Sequence, residues 1–498
     1  MYKDTRNVIK KYMATARLLI KDEVNVKIEG LDILERKELT NMFKFEIPGA
    51  RYLPAVRLGR WDGKVGFFQM GGSTFTNLLP EILPYLDKQG YHVELEDFRE
   101  YQTNFEFTQV TQDSFATINW PETHPIAGEP IMLRDYQVDI INKFLENPQC
   151  LQEVATGAGK TLITAVLSHC CEPHGRTIVI VPNKSLVTQT EADYINMGLD
   201  VGVYFGDRKE FGKTHTICTW QSLNILLKGS RNYEVDVTIS EFLEDVVCVM
   251  VDEVHMAKAD ALKTLLTGVM AHIPIRWGLT GTIPKEDFEF MSLKCSIGNV
   301  IGRLSAKELQ DQGVLANCHV NVLQLQDSVE YKDYQSELKY LLSTESRLDY
   351  MAELIESIRE AGNTLVLVDR IVPGKYLAEK VKDAVFVSGG TKADDRKDEY
   401  DEIATMDGKV IIATYGVAAV GINIPRIFNL VLVEPGKSFV RVIQSIGRGI
   451  RKAEDKDFVQ IWDITSNCKF AKRHLTKRKA FYKDANYPFE VQKIQWQK

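Results

Sequence analysis

Two series of short apolar segments, each followed by helical sequence, dominate the hydrophobic and polar pattern of the chain. The first series predicts a helix over residues 135–145 and strands over 151–154, 177–181, 215–218 and 246–251. The second predicts strands over 363–368, 385–387, 409–413, 430–433 and 458–463. Short runs rich in Val and Ile between helices are typical of parallel sheets that are buried on both faces. The pattern therefore predicts an α/β fold of two doubly wound domains, with residues 314–328 as an end strand and crossover.

The N-terminal quarter of the chain follows a different pattern. Residues 24–28 alternate like a strand, residues 35–44 are typical of a helix, and residues 58–68 predict a hairpin that turns at Asp62-Gly63. A stretch with several Pro and Gly residues, 120–130, predicts a linker. We therefore expect four segments: an N-terminal α+β domain, two α/β domains and a C-terminal extension, over residues 1–125, 126–320, 321–465 and 466–498.

Composition agrees with a folded protein of several domains. At about 150 residues per domain, 498 residues predict roughly three domains. Apolar residues make up 44% and charged residues 26%, as in ordinary globular proteins. A net charge of −7 by itself disfavours a nucleic-acid-binding protein, but such a protein needs only a local basic surface.

The charge is in fact unevenly distributed. The last thirty or so residues carry only two acids, Asp484 and Glu490, against the basic residues Lys469, Lys472, Arg473, Lys477, Arg478, Lys479, Lys483, Lys493 and Lys498. A solvated face or tail is the commoner origin of such a run.

Cysteine spacing and apolar run lengths bear on the location of the protein. The eight cysteines form no C-x-x-C pair, so we expect neither structural zinc nor disulfides. We find no signal-peptide-like segment, and the longest apolar stretches are far shorter than the roughly 20 residues that span a bilayer. We therefore expect a reduced, intracellular and soluble protein.

A glycine-rich turn follows the predicted strand 151–154 and precedes an apolar helix. Its glycines allow backbone N–H groups to point at phosphate oxygens, and the helix N-terminus adds a favourable dipole. The turn predicts a phosphate cradle from Thr156, Gly157, Ala158 and Gly159. Lys160 is expected on the β- and γ-phosphates of ATP and the Thr161 hydroxyl on Mg²⁺. Val154 stands where the strict pattern has Gly, but the strand before and the helix after still favour a phosphate loop.

A second candidate element, Asp252-Glu253-Val254-His255, follows the predicted strand 246–251. A carboxylate at the end of a parallel strand, beside a phosphate loop, is well placed to bind Mg²⁺. We expect Asp252 as the metal ligand and Glu253 as the base that deprotonates the attacking water. His255 is expected to link the γ-phosphate region to the rest of the protein. Acidic pairs at strand ends are common, so Asp252-Glu253 is informative mainly because it follows the glycine-rich turn in the sequence.

These elements and their order resemble the superfamily-two helicases. Further segments resemble that family's motifs, in its order, at residues 133–137, 181–189, 219–221, 278–282, 367–370, 414–425 and 444–451. The resemblance covers roughly residues 130–465. It implies two tandem RecA-like domains, ATP and Mg²⁺ as cofactors, and nucleic acid as partner.

The resemblance also assigns roles to single residues. It places Arg134 and Gln137 at the adenine. The second domain contributes a further group near the nucleotide, namely Gly421, Asn423, Gln444, Arg448 and Arg451. Arg451 is the first choice for an arginine finger on the γ-phosphate, with Arg448 as its partner. Contacts to the nucleic-acid strand are implied for Pro182, Asn183, Lys184, Gln189, Thr219, Trp220, Gln221, Arg370 and Thr414.

The N-terminal region bears on the substrate. The segment around Arg57, Arg60, Trp61 and Lys64 resembles a module of phage recombination helicases that act on branched DNA. The cations can clamp a phosphate backbone and Trp61 can stack on an exposed base. An equally strong alternative is that Trp61 belongs to the core of a hairpin.

The resemblance therefore implies an ATP-dependent DNA helicase or translocase that remodels Holliday junctions and forks in recombination and repair. The expected partners are single- and double-stranded DNA, with no membrane, and the expected state is a cytoplasmic monomer, in the host-cell cytoplasm if the protein is of phage origin. Three alternatives stay open: an RNA helicase, a duplex DNA translocase that does not separate strands (including the motor subunit of a restriction-type translocase), and a scaffold with an inactive motor.

Overall fold

Two compact units make up the protein. The computed structural model describes residues 14–101, 105–122, 127–232, 237–254, 259–390, 406–418, 426–436 and 458–497. The first unit comprises Met1–Glu153 with Lys160–Arg303, and the second Val154–Gly159 with Leu304–Lys498. Each unit has its own large, mainly parallel sheet, so the two predicted α/β sheets are confirmed. Within the described ranges, no helix has the length and apolar character needed to cross a membrane.

The N-terminal part of the first unit is a small α+β module. Its four-stranded sheet has the order β5-β2-β1-β6 and consists of β1 (Ala14–Ile20), β2 (Asn25–Glu29), β5 (Ser73–Phe75) and β6 (Tyr91–Asp97). A second sheet pairs β3 (Lys44–Glu46) with β4 (Lys64–Gly66). The helices are α1 (Ile33–Met42), α2 (Pro54–Arg57) and α3 (Leu79–Lys88).

The hairpin predicted over residues 58–68 is wrong. The partner of β4 is β3, in the register Phe45 to Val65, so the two strands are joined by a long insertion and not by a tight turn. Asp62 lies outside the ladder, where its carboxylate pairs with the Lys44 ammonium at 2.6 Å. Local alternation cannot reveal this arrangement, because the true partner strand lies some twenty residues upstream.

The large sheet of the first unit has the strand order β10-β9-β11-β8-β12-β13-β7-β14. Its strands are β7 (Gln149–Val154), β8 (Arg176–Val181), β9 (Val201–Phe205), β10 (Arg208–Lys209), β11 (His215–Thr219), β12 (Val246–Asp252), β13 (Ile275–Thr280) and β14 (Asn299–Leu304). The helices are α4 (Asp135–Glu146), α5 (Lys160–Cys171), α6 (Lys184–Asn196), α7 (Trp220–Asn232), α8 (Ile239–Phe242), α9 (Ala259–Thr267) and α10 (Asp287–Ser296). The central strands are buried on both faces, which explains their continuous apolar sequence.

The sheet of the second unit has the order β17-β18-β16-β19-β20-β15-β21. Its strands are β15 (Asn317–Leu325), β16 (Thr364–Val368), β17 (Val385–Val387), β18 (Val410–Thr414), β19 (Asn429–Val433), β20 (Phe458–Ser466) and β21 (Phe489–Ile494), and all pair in parallel. The helices are α11 (Ala306–Asp311), α12 (Tyr334–Ser343), α13 (Glu345–Arg359), α14 (Ile371–Lys380), α15 (Tyr415–Ala418) and α16 (Lys469–Asp484).

Two predicted domain boundaries differ from the structure. β15 begins before residue 320 and pairs with β20 over nine positions, so the second unit begins near Leu304. The segment 466–498 is not a separate extension, because β21 pairs with β15 and completes the sheet. Both differences arise from pairing between strands that are far apart in the sequence.

The N-terminal module shares its hydrophobic core with the ATPase part of the first unit. Phe67 packs against Phe288 of α10, with ring centroids 5.9 Å apart, and the Lys263 ammonium of α9 lies 4.0 Å from the Phe67 ring. The Glu23 N–H donates to the Ala271 carbonyl at 3.1 Å, and the Gln149 amide donates to the Glu23 carbonyl at 2.9 Å. The module is therefore packed against the two helices that follow β12 and β13.

A fully buried arginine, Arg276 on β13, holds the ends of these two helices. Its guanidinium donates to the carbonyls of Leu266 and Ser296 in α9 and α10, and to those of Met270 and Ile273, at 2.5 to 3.3 Å. The last carbonyls of a helix have no partner within the helix, so Arg276 satisfies groups that would otherwise be buried and unpaired. Burial lowers the pKa of Arg276 to about 10, which remains high enough to keep the charge.

We predict that Arg276→Met lowers the free energy of unfolding of the first unit by about 3 kcal/mol or more, because several buried carbonyls lose their donor. Calorimetric unfolding of the full chain measures this change. The control is Arg303→Met, since Arg303 is 72% exposed and pairs with Glu153, and it should change stability by about 1 kcal/mol or less. Equal effects of the two substitutions would contradict the assignment.

Candidate ATP-binding site

The glycine-rich turn between β7 and α5 has the backbone of a phosphate loop. Gly157 and Gly159 have φ values of 93° and 80°, which residues with a Cβ rarely adopt. The turn is fixed at its start, where the Ala155 N–H donates to the Leu304 carbonyl at 2.9 Å. Val154 is the last residue of β7 and is buried, so this position continues the strand and accommodates a side chain.

At the start of α5, Lys160 meets the acidic pair that ends β12. The Lys160 ammonium lies 2.9 Å from a Glu253 carboxylate oxygen, and both side chains are about nine-tenths buried. Glu253 has a φ of 49°, a left-handed conformation that turns the chain sharply as it leaves the strand. Its N–H donates to the Asp252 carboxylate at 2.8 Å. The structure thus brings together the three residues on which the predicted chemistry depends.

The acidic pair carries more negative charge than Lys160 neutralises. Burial, with the neighbouring Glu253 carboxylate, raises the pKa of Asp252 to about 7. A cation beside Asp252 removes this penalty, and hard oxygen donors such as its carboxylate and the Thr161 hydroxyl suit Mg²⁺. Among the described residues no three His, Cys, Asp or Glu side chains cluster as metal ligands. Mg²⁺ at nucleotide sites is held mainly by phosphates and water, so one or two protein ligands are sufficient.

A link that the sequence did not reveal joins Glu253 to the end of β13. The second Glu253 carboxylate oxygen accepts a hydrogen bond from the Gly281 N–H at 3.3 Å. Thr280 and Thr282 on either side are buried, and the Thr280 hydroxyl donates to the Thr282 carbonyl at 2.9 Å. The segment 278–282 was noted as a family motif, but this contact depends on the adjacency of β12 and β13 in the sheet.

The predicted adenine residues lie at the start of α4. The Gln137 side-chain oxygen accepts from the Arg134 N–H at 3.0 Å, which closes the first turn of the helix. Gln137 is buried and Arg134 is exposed. This arrangement positions Gln137 rigidly, and it leaves the Arg134 side chain accessible.

The strand-contact residues of the first unit lie at the carboxyl ends of two adjacent strands, β8 and β11. The Gln221 amide donates to the Pro182 carbonyl at 3.4 Å, so the two segments touch. Asn183 caps α6 by accepting from the Leu186 N–H at 3.0 Å, and Thr219 is buried against Ser222. The exposed members of the group are Lys184, Gln189 and Gln221, while Trp220 is half-buried and Pro182 is buried.

The second unit presents two of the predicted residues at the corresponding edge of its own sheet. Arg370 follows β16 and its side chain is 60% exposed, and Thr414 is the last residue of β18. Several predicted residues lie outside the described residues, namely His255, Gly421, Asn423, Gln444, Arg448 and Arg451.

The basic segment of the N-terminal module lies in the insertion between β3 and β4. Arg57 and Arg60 of the insertion and Lys64, the first residue of β4, are exposed. Trp61 is half-buried, and its indole N–H donates to the Lys64 carbonyl at 3.0 Å, so its ring is partly fixed within the loop. The exposed aromatic residue of this segment is Tyr52, which is 60% accessible as a whole residue and has the Arg51 guanidinium 4.8 Å from its ring centroid.

Comparison with known proteins agrees with this geometry. The family described as the res subunit of type III restriction enzymes matches residues 130–285, and the helicase conserved C-terminal domain matches residues 346–453. The ATP-dependent DNA helicase UvsW of Enterobacteria phage T4 is 24% identical over 466 residues, which cover 89% of each chain.

Two more distant similarities extend the comparison. The putative DNA 3'-5' helicase Rad25 of Haloarcula marismortui is 26% identical over 345 residues, 66% of this chain and 52% of that protein. A fragment structure of a putative HsdR subunit of a type I restriction enzyme from Vibrio vulnificus YJ016 shares the fold, with a TM-score of 0.54 and 17% identity over 73% of this chain and 69% of that chain. With the motifs in order and the two helicase domains in tandem, the chain is an ATP-dependent superfamily-two helicase that resembles UvsW.

Proposed function

We propose that this helicase couples ATP hydrolysis to movement along DNA, and that its task is the remodelling of branched DNA in recombination and repair. The observation that carries the ATPase part is the buried group of Lys160, Asp252 and Glu253 at the end of β12. UvsW and Rad25 are DNA helicases by name, which supports DNA as the substrate. The phage origin of UvsW supports the host-cell cytoplasm as the location, and we expect a monomer.

The residues of the site divide the hydrolysis between them. The Lys160 ammonium neutralises the β- and γ-phosphates, while Asp252 and Thr161 hold Mg²⁺, which offsets charge on the phosphate oxygens. Glu253 orients and deprotonates the attacking water. Arg451, with Arg448 as its partner, supplies the positive charge of an arginine finger.

The hydrogen bond from Gly281 to Glu253 supports a route from chemistry to movement. If the Glu253 carboxylate shifts or gains a proton during hydrolysis, the strength of the hydrogen bond that it accepts from the Gly281 N–H changes. Gly281 precedes α10, and α10 packs on the N-terminal module through Phe288. A change at Glu253 during hydrolysis can therefore be transmitted through α10 to the N-terminal module. This module carries the surface that we propose as the DNA-branch contact.

We predict that Glu253→Gln lowers the kcat of ATP hydrolysis by about 10²- to 10⁴-fold, because an amide cannot take the proton of water. ATP binding should persist, since Lys160 and the phosphate loop are unchanged. Phosphate release and nucleotide binding measured on the same preparation separate the two effects. Glu244→Gln, at an exposed position, is the matched control. Near-normal turnover by Glu253→Gln would show that another group is the base.

The exposed insertion of the N-terminal module supports branched DNA as the substrate. It combines three exposed cations, Arg57, Arg60 and Lys64, with the accessible ring of Tyr52. Cations hold the phosphate backbone, and an accessible ring can stack on a base that is unpaired at a branch point. Since the module shares its core with the ATPase unit, force from the motor can reach this surface.

We predict that Arg57→Gln/Arg60→Gln slows ATP-dependent migration of a synthetic four-way junction about 10-fold, because two phosphate contacts are lost. The double variant Lys37→Gln/Lys88→Gln removes the same charge from exposed positions elsewhere on the module and should migrate the junction normally. Equal rates for both double variants would contradict the assignment of this surface.

The same assay distinguishes the alternative functions. Stimulation of the ATPase by RNA equal to that by junction DNA would favour an RNA helicase. ATPase stimulation by duplex without any strand exchange would favour a translocase. No ATP hydrolysis by the wild-type protein, with Lys160→Ala as reference, would leave only a scaffold.

A further inference from the structure

Helix α16 presents a basic face to solvent. The exposed cations on this face are Lys469, Lys472, Arg473, Lys477 and Lys483. Lys472 and Arg473 lie three and four residues after Lys469, Lys477 lies four after Arg473, and Lys483 follows six residues later, so at 3.6 residues per turn all five share one side of the helix. The only acid of the helix is its last residue, Asp484. Within the helix itself, five exposed positive charges therefore face a single acid at its C-terminal end.

The opposite face of α16 is anchored rigidly in the second unit. The buried Arg478 guanidinium makes two hydrogen bonds to the Asp463 carboxylate of β20, at 2.8 and 2.9 Å. The Tyr482 hydroxyl donates to the same carboxylate at 2.7 Å. Ala471 and Leu475 complete the buried face. The basic residues of α16 thus differ in role. Arg478 is buried and pairs with Asp463, whereas the exposed cations are accessible for other contacts.

The start of α16 is also fixed by a neighbouring helix. The buried Glu337 carboxylate of α12 accepts hydrogen bonds from the N–H groups of Phe470 and Ala471, at 3.0 and 2.7 Å. The helix terminus is therefore already satisfied by an internal anion. Any external anion must be bound by the side chains of the exposed face.

The start of the basic face lies at the same sheet edge as Arg370. The Tyr334 ring packs against Phe470 and His474 of α16, with centroids 6.0 and 5.3 Å apart. Since β16 and β20 are parallel members of one sheet, Arg370 and the start of α16 lie at the same edge. The exposed cations of α16 therefore start at the sheet edge that also presents Arg370.

We propose that the exposed face of α16 binds the phosphate backbone of double-stranded DNA, as a continuation of the contact at Arg370. This inference rests on the proposed function, because it takes the motor to act on DNA. The face favours a duplex arm over a single strand, since α16 exposes no large apolar or aromatic side chain on which a base could stack. Its contacts are independent of sequence, because lysine and arginine meet phosphates and not base edges.

The test measures binding of a labelled blunt-ended DNA duplex to the full-length protein at several salt concentrations. Lys472→Gln/Lys477→Gln should weaken binding about 10-fold at low salt and reduce the slope of log affinity against log salt by about 2. In the DNA-stimulated ATPase, the duplex concentration for half-maximal rate should rise while the rate at saturating duplex is retained.

The matched control is Lys380→Gln/Lys382→Gln, which removes two exposed lysines at the far end of α14. The helix α14 leaves the carboxyl edge of the sheet after β16 and ends at the opposite edge, so duplex affinity and salt slope should be unchanged. An unchanged salt slope in Lys472→Gln/Lys477→Gln would overturn the inference. A loss of affinity only for single-stranded DNA, or only for an RNA duplex, would overturn it as well. If the wild-type protein binds no DNA, the proposed function itself fails, which is a different result.

Discussion

The ion pair between Lys160 and Glu253 joins the chain segments on which the candidate ATP site depends. It connects the start of α5 to the end of β12, and the hydrogen bond from Gly281 adds the end of β13. Burial, together with the neighbouring Glu253 carboxylate, raises the pKa of Asp252, because one ammonium does not balance two buried carboxylates. A buried excess charge is costly, so the site favours a divalent cation. The buried carboxylates that lower the stability of the folded protein therefore also favour the binding of a cation.

The N-terminal module and the ATPase part of the first unit share one hydrophobic core. The N-terminal module has strands and helices of its own, yet Phe288 and Cys295 of α10 belong to its hydrophobic core. Arg276 fixes the ends of α9 and α10 from the adjacent strand. A module that shares a core with the ATPase part of the same unit has no free hinge at this interface.

The two charged surfaces differ in how they are built. In the N-terminal insertion the cations lie on short, exposed segments around a half-buried Trp61, with Tyr52 accessible beside them. On α16 the cations lie on a rigid helix that is anchored by Arg478 and Asp463. The first combination suits an irregular substrate with unpaired bases, and the second suits a regular duplex. Both kinds of contact are compatible with the branched-DNA substrate that we propose.

The sequence by itself determined the α/β class, most central strands and the group at Lys160, Asp252 and Glu253, because buried parallel strands and phosphate loops depend on local patterns. Only the tertiary structure decided which strands pair. The partner of β4, the early start of the second unit and the place of β21 all depend on hydrogen bonds between distant segments. The separate roles of Arg478 and its exposed neighbours were also decided there, since burial depends on what packs against each face of a helix and charge counts do not reveal it.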